Sequence, residues 1–235
     1  MSKNHRLYLC APVNAIVEGI YEERIPFSEI KHHGDFGLGT FDMLDGEMVM
    51  LDGHIYQMTA DGRVEEVDDD ALTPFSCVTF FNPEQPIEST TELDFEGFLK
   101  WLQNPLPSPN IFYAFRLSGE FAYMKVRSVP KSECYIPLVE IAREQPVFEF
   151  RDIRGTLAGF YTPEFMASIS VPGVHLHFLS EDLKHGGHLL ECRPRHISGA
   201  IQPIHTIELA LPTTPYYLNW DFRRDVRRDL EKAEK

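Results

Sequence analysis

Three Asp-Gly pairs, at 45–46, 52–53 and 61–62, punctuate the stretch TFDMLDGEMVMLDGHIYQMTADGRVE between residues 40 and 65. Asp-Gly tolerates positive φ and is the favoured two-residue hairpin connection. The apolar runs between these pairs are short, so the stretch reads as a β-meander. FSCVTFF at 75–81, β-branched and aromatic, reads as a central strand. NIFYAFRL at 110–117 and EFAYMKVRSV at 120–129 read as two more, joined through Ser118-Gly119 as a further hairpin.

Helices are fewer. Residues 94–104 place Phe95, Phe98, Leu99 and Leu102 on one stripe, start at a capping Asp94 and stop before Pro105. TPEFMASISVPG predicts another, with Thr162 as cap and Pro163 at the first helical position. The tail repeats Phe222, Val226, Leu230 and Ala233 at helical spacing, with charge on its other faces. The fold class is α+β, two sheet-based halves of mixed or antiparallel β-sheet with few helices. The Pro-rich NPLPSPN at 104–110 is the best break, which divides the chain into a β-rich half over 1–106, carrying a Gly-rich strand-turn motif, and a half over 107–235.

With 36 acidic against 22 basic side chains the net charge is −14, which repels a phosphate backbone, so nucleic acid is not an expected partner. Cys10, Cys77, Cys134 and Cys192 form no C-x-x-C pair and read as reduced core thiols. LYLCAPVNAIV is too short to span a bilayer and is broken by Pro12 and Asn14, so no membrane association and a cytoplasmic location are expected.

GVHLHFLSEDLKHGGHLLEC, residues 173–192, carries the densest chemistry. Alternation puts Val174, Leu176 and Phe178 on one face of a strand and His175 and His177 on the other. If the returning strand pairs about a turn centred on Asp182-Leu183, His188 lies opposite His177 and three imidazoles converge. The Gly186-Gly187 pair could host a bulge and shift that register. Three neutral imidazoles suit zinc and leave a coordination position open for substrate; the bland alternative is a solvated strand that happens to carry His-x-His. His185 breaks the parity and reads as a surface residue. A competing set, His175, His177 and Glu181, follows the H-x-H-x-x-x-E spacing of cupin barrels, which favour iron or manganese, although Ile169 stands where their motif has glycine.

Elsewhere the residues say less. Gly34, Gly37 and Gly39 match neither a P-loop nor a dinucleotide fingerprint and imply close backbone packing before a strand, with Thr40 at its entrance. Glu47, directly after a turn, reads as a surface carboxylate. Arg127 shares a strand face with Lys125, Tyr123 and Phe121, and periodicity does not decide between a carboxylate clamp and a solvated cation. Glu234, next to last, reads as frayed.

HGDFGLGTFDMLDGEMVMLDGHIYQ (33–57), TPFSCVTFF (73–81), KVRSVPK (125–131), GTLAGFYTPEF (155–165) and the histidine hairpin resemble, in order, the signatures of the α-acetolactate decarboxylase family. The resemblance covers nearly the whole chain. It implies that His175, His177 and His188 hold Zn2+, that Thr40, Glu47 and Arg127 line the pocket, and that the C-terminal tail returns a carboxylate to the site, Glu234 by best match and Glu231 one turn earlier as the alternative. It implies a homodimer and, as activity, zinc-dependent decarboxylation of 2-acetolactate to (R)-acetoin and CO2, the zinc stabilising an enediolate that a carboxylic acid protonates, on the route to acetoin and butanediol. The other readings are a cupin-like iron or manganese enzyme acting on a small hydroxy-keto acid and a non-catalytic metal-binding protein.

Overall fold

In the computed structural model, which describes residues 5–132 and 134–234 and leaves the side chains of Glu231 and Glu234 outside the described set, the meander forms as its turns require. The strands are β1 (Arg6–Leu9), β2 (Ile25–Pro26), β3 (Phe36–Thr40), β4 (Glu47–Leu51), β5 (His54–Met58), β6 (Val64–Val67), β7 (Leu72–Thr73), β8 (Ser76–Thr79), β9 (Gln85–Ser89), β10 (Phe112–Arg127), β11 (Val147–Thr162), β12 (Gly173–Ser180), β13 (Gly186–Ile204) and β14 (Thr206–Leu209). The helices are α1 (Val13–Val17), α2 (Phe27–Ile30), α3 (Phe95–Gln103), α4 (Leu138–Ile141), α5 (Pro215–Asn219) and α6 (Arg227–Glu234). Among the described residues no helix is long and apolar enough to cross a membrane.

The first sheet runs β14-β1-β8-β3-β4-β5-β6. Asp52 and Gly53, with φ of 52° and 80°, turn β4 into β5, the doubly positive geometry that matches strand twist. β8 lies between β1 and β3, central as expected, and β14 pairs parallel to β1, which makes the sheet mixed. The second sheet closes on itself. β10 pairs with both β11 and β13, β12 bridges β11 to β13, and β9 adds to the outer part of β13.

One apolar core lies between the sheets, joining Leu7, Leu38 and Val49 of the first to Ala114, Phe160 and Leu179 of the second. Another sits under α3, where Phe98 and Leu102 are fully buried against Phe115 and Leu176, each such side chain contributing about 1.5–3 kcal/mol. Asp94 caps α3 as the spacing predicts, its carboxylate accepting from Gly97 N at 2.7 Å. The tail helix forms as well. Alone it is marginal, but Val226, Leu230 and Ala233 are buried in the core shared with Leu138 and Ile141 of α4.

Three expectations give way. Ser118-Gly119 is no turn: β10 runs unbroken through it, with Gly119 opposite Gly155 on one side and Ile197 on the other. A Cβ at Gly119 would overlap the His196 carbonyl oxygen, so glycine here answers close strand approach rather than chain reversal. Residues 163–172 are no helix beyond a single 3-10 turn at Glu164–Met166. Thr162 still belongs to β11, and the carbonyls of Ser168 and Ile169 accept from Asn14 and Val13 of α1 instead of from a helix of their own. Cys134 is exposed, whereas Cys10, Cys77 and Cys192 are buried.

Candidate metal centre

The alternation of VHLHFL holds. Val174, Leu176 and Phe178 face the core under α3, and His175 and His177 face the first sheet. The turn closes with Leu183 N donating to Ser180 O at 3.0 Å and Leu183 itself at φ 57°. The strands then register as Leu179 with Gly186, Phe178 with Gly187 and His177 with His188. On the far side of β13, His188 is opposite Arg127 of β10. A single cross-strand row thus reads His177, His188, Arg127, with His175 two residues along from His177.

Ligand atoms of His175, His177 and His188 all lie within 4.8 Å of one another. His175 Nε2 and His188 Nδ1 are 3.1 Å apart. His177 Nδ1 is 2.7 Å from the carbonyl oxygen of Met48 in β4, and a carbonyl only accepts, so the proton sits on Nδ1 and the lone pair on Nε2. That Nε2 is buried and makes no hydrogen bond among the described residues; Glu47 Oε2 stands 3.4 Å away. An orphaned acceptor with two more imidazole nitrogens beside it is costly unless a cation takes the lone pairs. The donor set therefore fits a metal ion.

Electrostatics favours the ligand form of the rings. Burial, helped by the Arg127 charge, pushes His175 down to about 3. Burial and then His175 hold His177 well below the ordinary imidazole range, against the opposing bond to Met48. Both rings are neutral at pH 7, as metal binding requires.

Glu47, expected on the surface by spacing, is buried. Arg127 Nη1 donates to Glu47 Oε1 at 2.7 Å, so the guanidinium is neither solvated nor alone. β10 bulges near Phe121, which moves Phe121 to the apolar side with Met124 and Val126 and leaves Arg127 on the site side. Thr40, also buried, lines the same cavity but donates its hydroxyl to Gly46 O at 2.7 Å, fastening the β3–β4 turn. The remaining walls are apolar: Val13 and Ile16 of α1, Leu44, Leu138 of α4, and Val171.

Glu181 lies away from the cluster on the exposed turn, paired with Arg154 at 3.2 Å, which removes the cupin-like ligand set. His185 stands against the Phe150 ring instead. Glu234 ends α6, its side chain outside the described residues, as is that of Glu231. Sequence reasoning missed the Met48 carbonyl and the walls supplied by α1 and α4. A backbone carbonyl leaves no side-chain signal, and the apolar walls look like any core residue.

The sequence profile of the alpha-acetolactate decarboxylase family matches residues 7–224. The alpha-acetolactate decarboxylase of Methanosarcina mazei is 39% identical over 230 residues, covering 97% of this chain and 80% of that protein. That of Bacillus licheniformis is 36% identical, covering 97% and 91%. The crystal structure of alpha-acetolactate decarboxylase from Bacillus subtilis strain 168 superimposes with a TM-score of 0.94 at 34% identity, over 97% of this chain and 99% of that one. With the match running from β1 past the histidine hairpin, the chain belongs to the alpha-acetolactate decarboxylase family.

Proposed function

We propose that the chain decarboxylates 2-acetolactate to (R)-acetoin and CO2 with Zn2+ held by His175, His177 and His188. The observation that carries this reading is the buried three-imidazole cluster beside the Glu47–Arg127 ion pair, in a chain of this family. Neutral imidazoles suit zinc. When bound, the ion supplies Lewis-acid stabilisation of the negative charge that gathers on the substrate ketone oxygen as CO2 departs, which spares the enzyme an organic electron sink.

The chain's own residues do the rest. Arg127 places a fixed positive charge at the end of the histidine row, where it orients the anionic substrate. It also engages Glu47 Oε1 and leaves Oε2 directed toward His177. Oε2 of this carboxylate takes up a proton from solvent and passes it to one face of the carbanion, and a fixed donor gives one enantiomer. Glu234 is the second candidate donor. The apolar walls exclude water, which strengthens every charge interaction inside. Thr40 keeps the β3–β4 turn, and with it Glu47, in register. The same reading makes the protein a cytoplasmic homodimer serving acetoin and butanediol formation.

The test is incubation of the purified protein with racemic 2-acetolactate before chelation, after it, and after zinc is restored, following CO2 and chiral acetoin. Chelator-sensitive (R)-acetoin formation that zinc restores is the expected result. No turnover in a folded, zinc-replete sample overturns the proposal.

A further inference from the structure

Ser128, directly after Arg127, is fully buried, and its hydroxyl donates to the carbonyl oxygen of Met58 at 2.6 Å. Met58 is the residue opposite Glu47 in the β4–β5 register. A closed ring results. Arg127 donates to the Glu47 carboxylate at 2.7 Å, the backbone leads on to Ser128, the hydroxyl bond reaches Met58, and strand pairing returns to Glu47. The Met58 side chain carries the ring to the histidines: it lies against Gly186, where an added Cβ would overlap Sδ, two residues before His188. Glu47, Arg127 and His188 line the metal-centre cavity, and Ser128 and Met58 do not. A separate backbone bond, from Gly46 N to Val129 O at 3.2 Å, joins the same two segments without the Ser128 side chain.

We infer that Ser128 is a positioning residue for the reaction, its hydroxyl fixing where the Glu47–Arg127 pair stands relative to the three histidines. The inference rests on the proposed reaction, in which Glu47 Oε2 passes a proton to one face of the carbanion. Glu47 and Arg127 belong to different sheets, and each charge ends a side chain with several rotatable bonds. The pair keeps its place only as well as the two backbones keep theirs. The Gly46–Val129 bond holds the sheets docked, and the Ser128 bond sets how β10 stands against β5 at the level of Glu47. With the hydroxyl gone the pair can still form, but it can shift as a unit away from the histidine row. A displacement of about 1 Å at a reacting group is enough to cost roughly 100-fold in rate. A donor free to shift also reaches both faces of the carbanion, so the loss shows in the stereochemistry of the product as well as in its rate.

Ser128→Ala removes the hydroxyl and leaves the Gly46–Val129 bond in place. Leu102→Ala, in the core under α3, serves as a variant destabilised by another cause. Each is compared with wild type for zinc content, for kcat per bound zinc, and for the enantiomeric excess of acetoin formed from racemic 2-acetolactate. The expected result is unchanged zinc, a kcat in Ser128→Ala lower by about ten-fold or more with a reduced excess of (R)-acetoin, and wild-type values of both in Leu102→Ala. Loss of folded protein lowers turnover without changing the enantiomer ratio. An unchanged excess in Ser128→Ala, whatever its turnover, therefore overturns the inference, as does an equal fall in Leu102→Ala. Positioning is also read without substrate, by urea titration of the metal-free proteins. Glu47→Gln should change the unfolding equilibrium constant by a factor about five-fold or more smaller in the Ser128→Ala background than in wild type, and equal factors overturn the inference. If the wild type is inactive toward 2-acetolactate the proposed function falls, and the urea cycle alone decides whether Ser128 holds the pair.

Discussion

Glu47 and Arg127, eighty positions apart, join the two sheets through a 2.7 Å hydrogen bond in which the side chains are only 7% and 3% exposed. A buried ion pair broken from one side leaves an uncompensated charge, which typically costs about 3–5 kcal/mol, whereas removing both partners costs far less. Arg127→Met should therefore lower the denaturation midpoint sharply. The double variant Glu47→Gln/Arg127→Met should recover most of that stability and none of the turnover. A double variant no more stable than Arg127→Met in urea titrations would remove the charge argument.

Glu47→Gln alone keeps the shape of the side chain and removes its ability to take up and deliver a proton. Turnover should fall about 10²- to 10⁴-fold, the usual worth of a positioned acid, while zinc stays bound. Full activity with stoichiometric zinc would take Glu47 out of the mechanism and leave the tail carboxylate.

Metal binding separates the three histidines from their neighbours in sequence. His188→Ala should lose zinc, read by elemental analysis of the dialysed protein, and activity with it. Glu181→Ala and His185→Ala should retain both, because Glu181 pairs with Arg154 and His185 stands on Phe150. Zinc lost in Glu181→Ala would restore the cupin-like set.

Gly119→Val and Ser118→Val distinguish a continuous strand from a hairpin. A side chain at Gly119 meets the His196 carbonyl and should destabilise by about 1–3 kcal/mol or more. Ser118 is exposed, and valine there should change little. Equal, mild effects in thermal melts would favour a turn at this point.

The cysteines give a prediction in pH. Burial pushes the Cys10 thiol up to about 11 and Cys77 and Cys192 well above their usual range, while Cys134 is exposed. Alkylation of native protein at pH 8 should label Cys134 alone, since the thiolate is the nucleophile. A thiol whose folded pKa exceeds its unfolded value gives stability that is complete below the unfolded value and lost as pH rises. Stability should thus decline above pH 9 as these three thiols ionise in the unfolded chain. Rapid native labelling of four thiols per chain would contradict the burial.

The histidine site was readable in the sequence because its logic is local. Period-two alternation places His175 and His177 on one face before any tertiary fact is known, and pairing about Asp182-Leu183, rather than a bulge at Gly186-Gly187, is what brings His188 to them. The meander and the Asp94 cap were readable for the same reason. What stayed hidden depends on distant partners. Glu47 looks exposed until Arg127 arrives from β10, and the proton position of His177 is set by the carbonyl of Met48, 129 residues earlier. Ser118-Gly119 misleads because glycine serves turns and close strand approach alike, and only the neighbouring strands tell which.

Closure of the second sheet also bears on how the chain reaches this state. β10 must find β13, with Phe112 meeting Ile204 and Arg127 meeting His188, and His177 then takes its hydrogen bond to Met48 of the other sheet. Contacts this far apart along the chain form slowly, because the loop-closure entropy is lost before the contacts compensate for it. The bond that fixes the proton of His177 is thus a late event in folding, made only after the sheets have docked, whereas the three histidines are gathered by their own hairpin as soon as β13 pairs with β12.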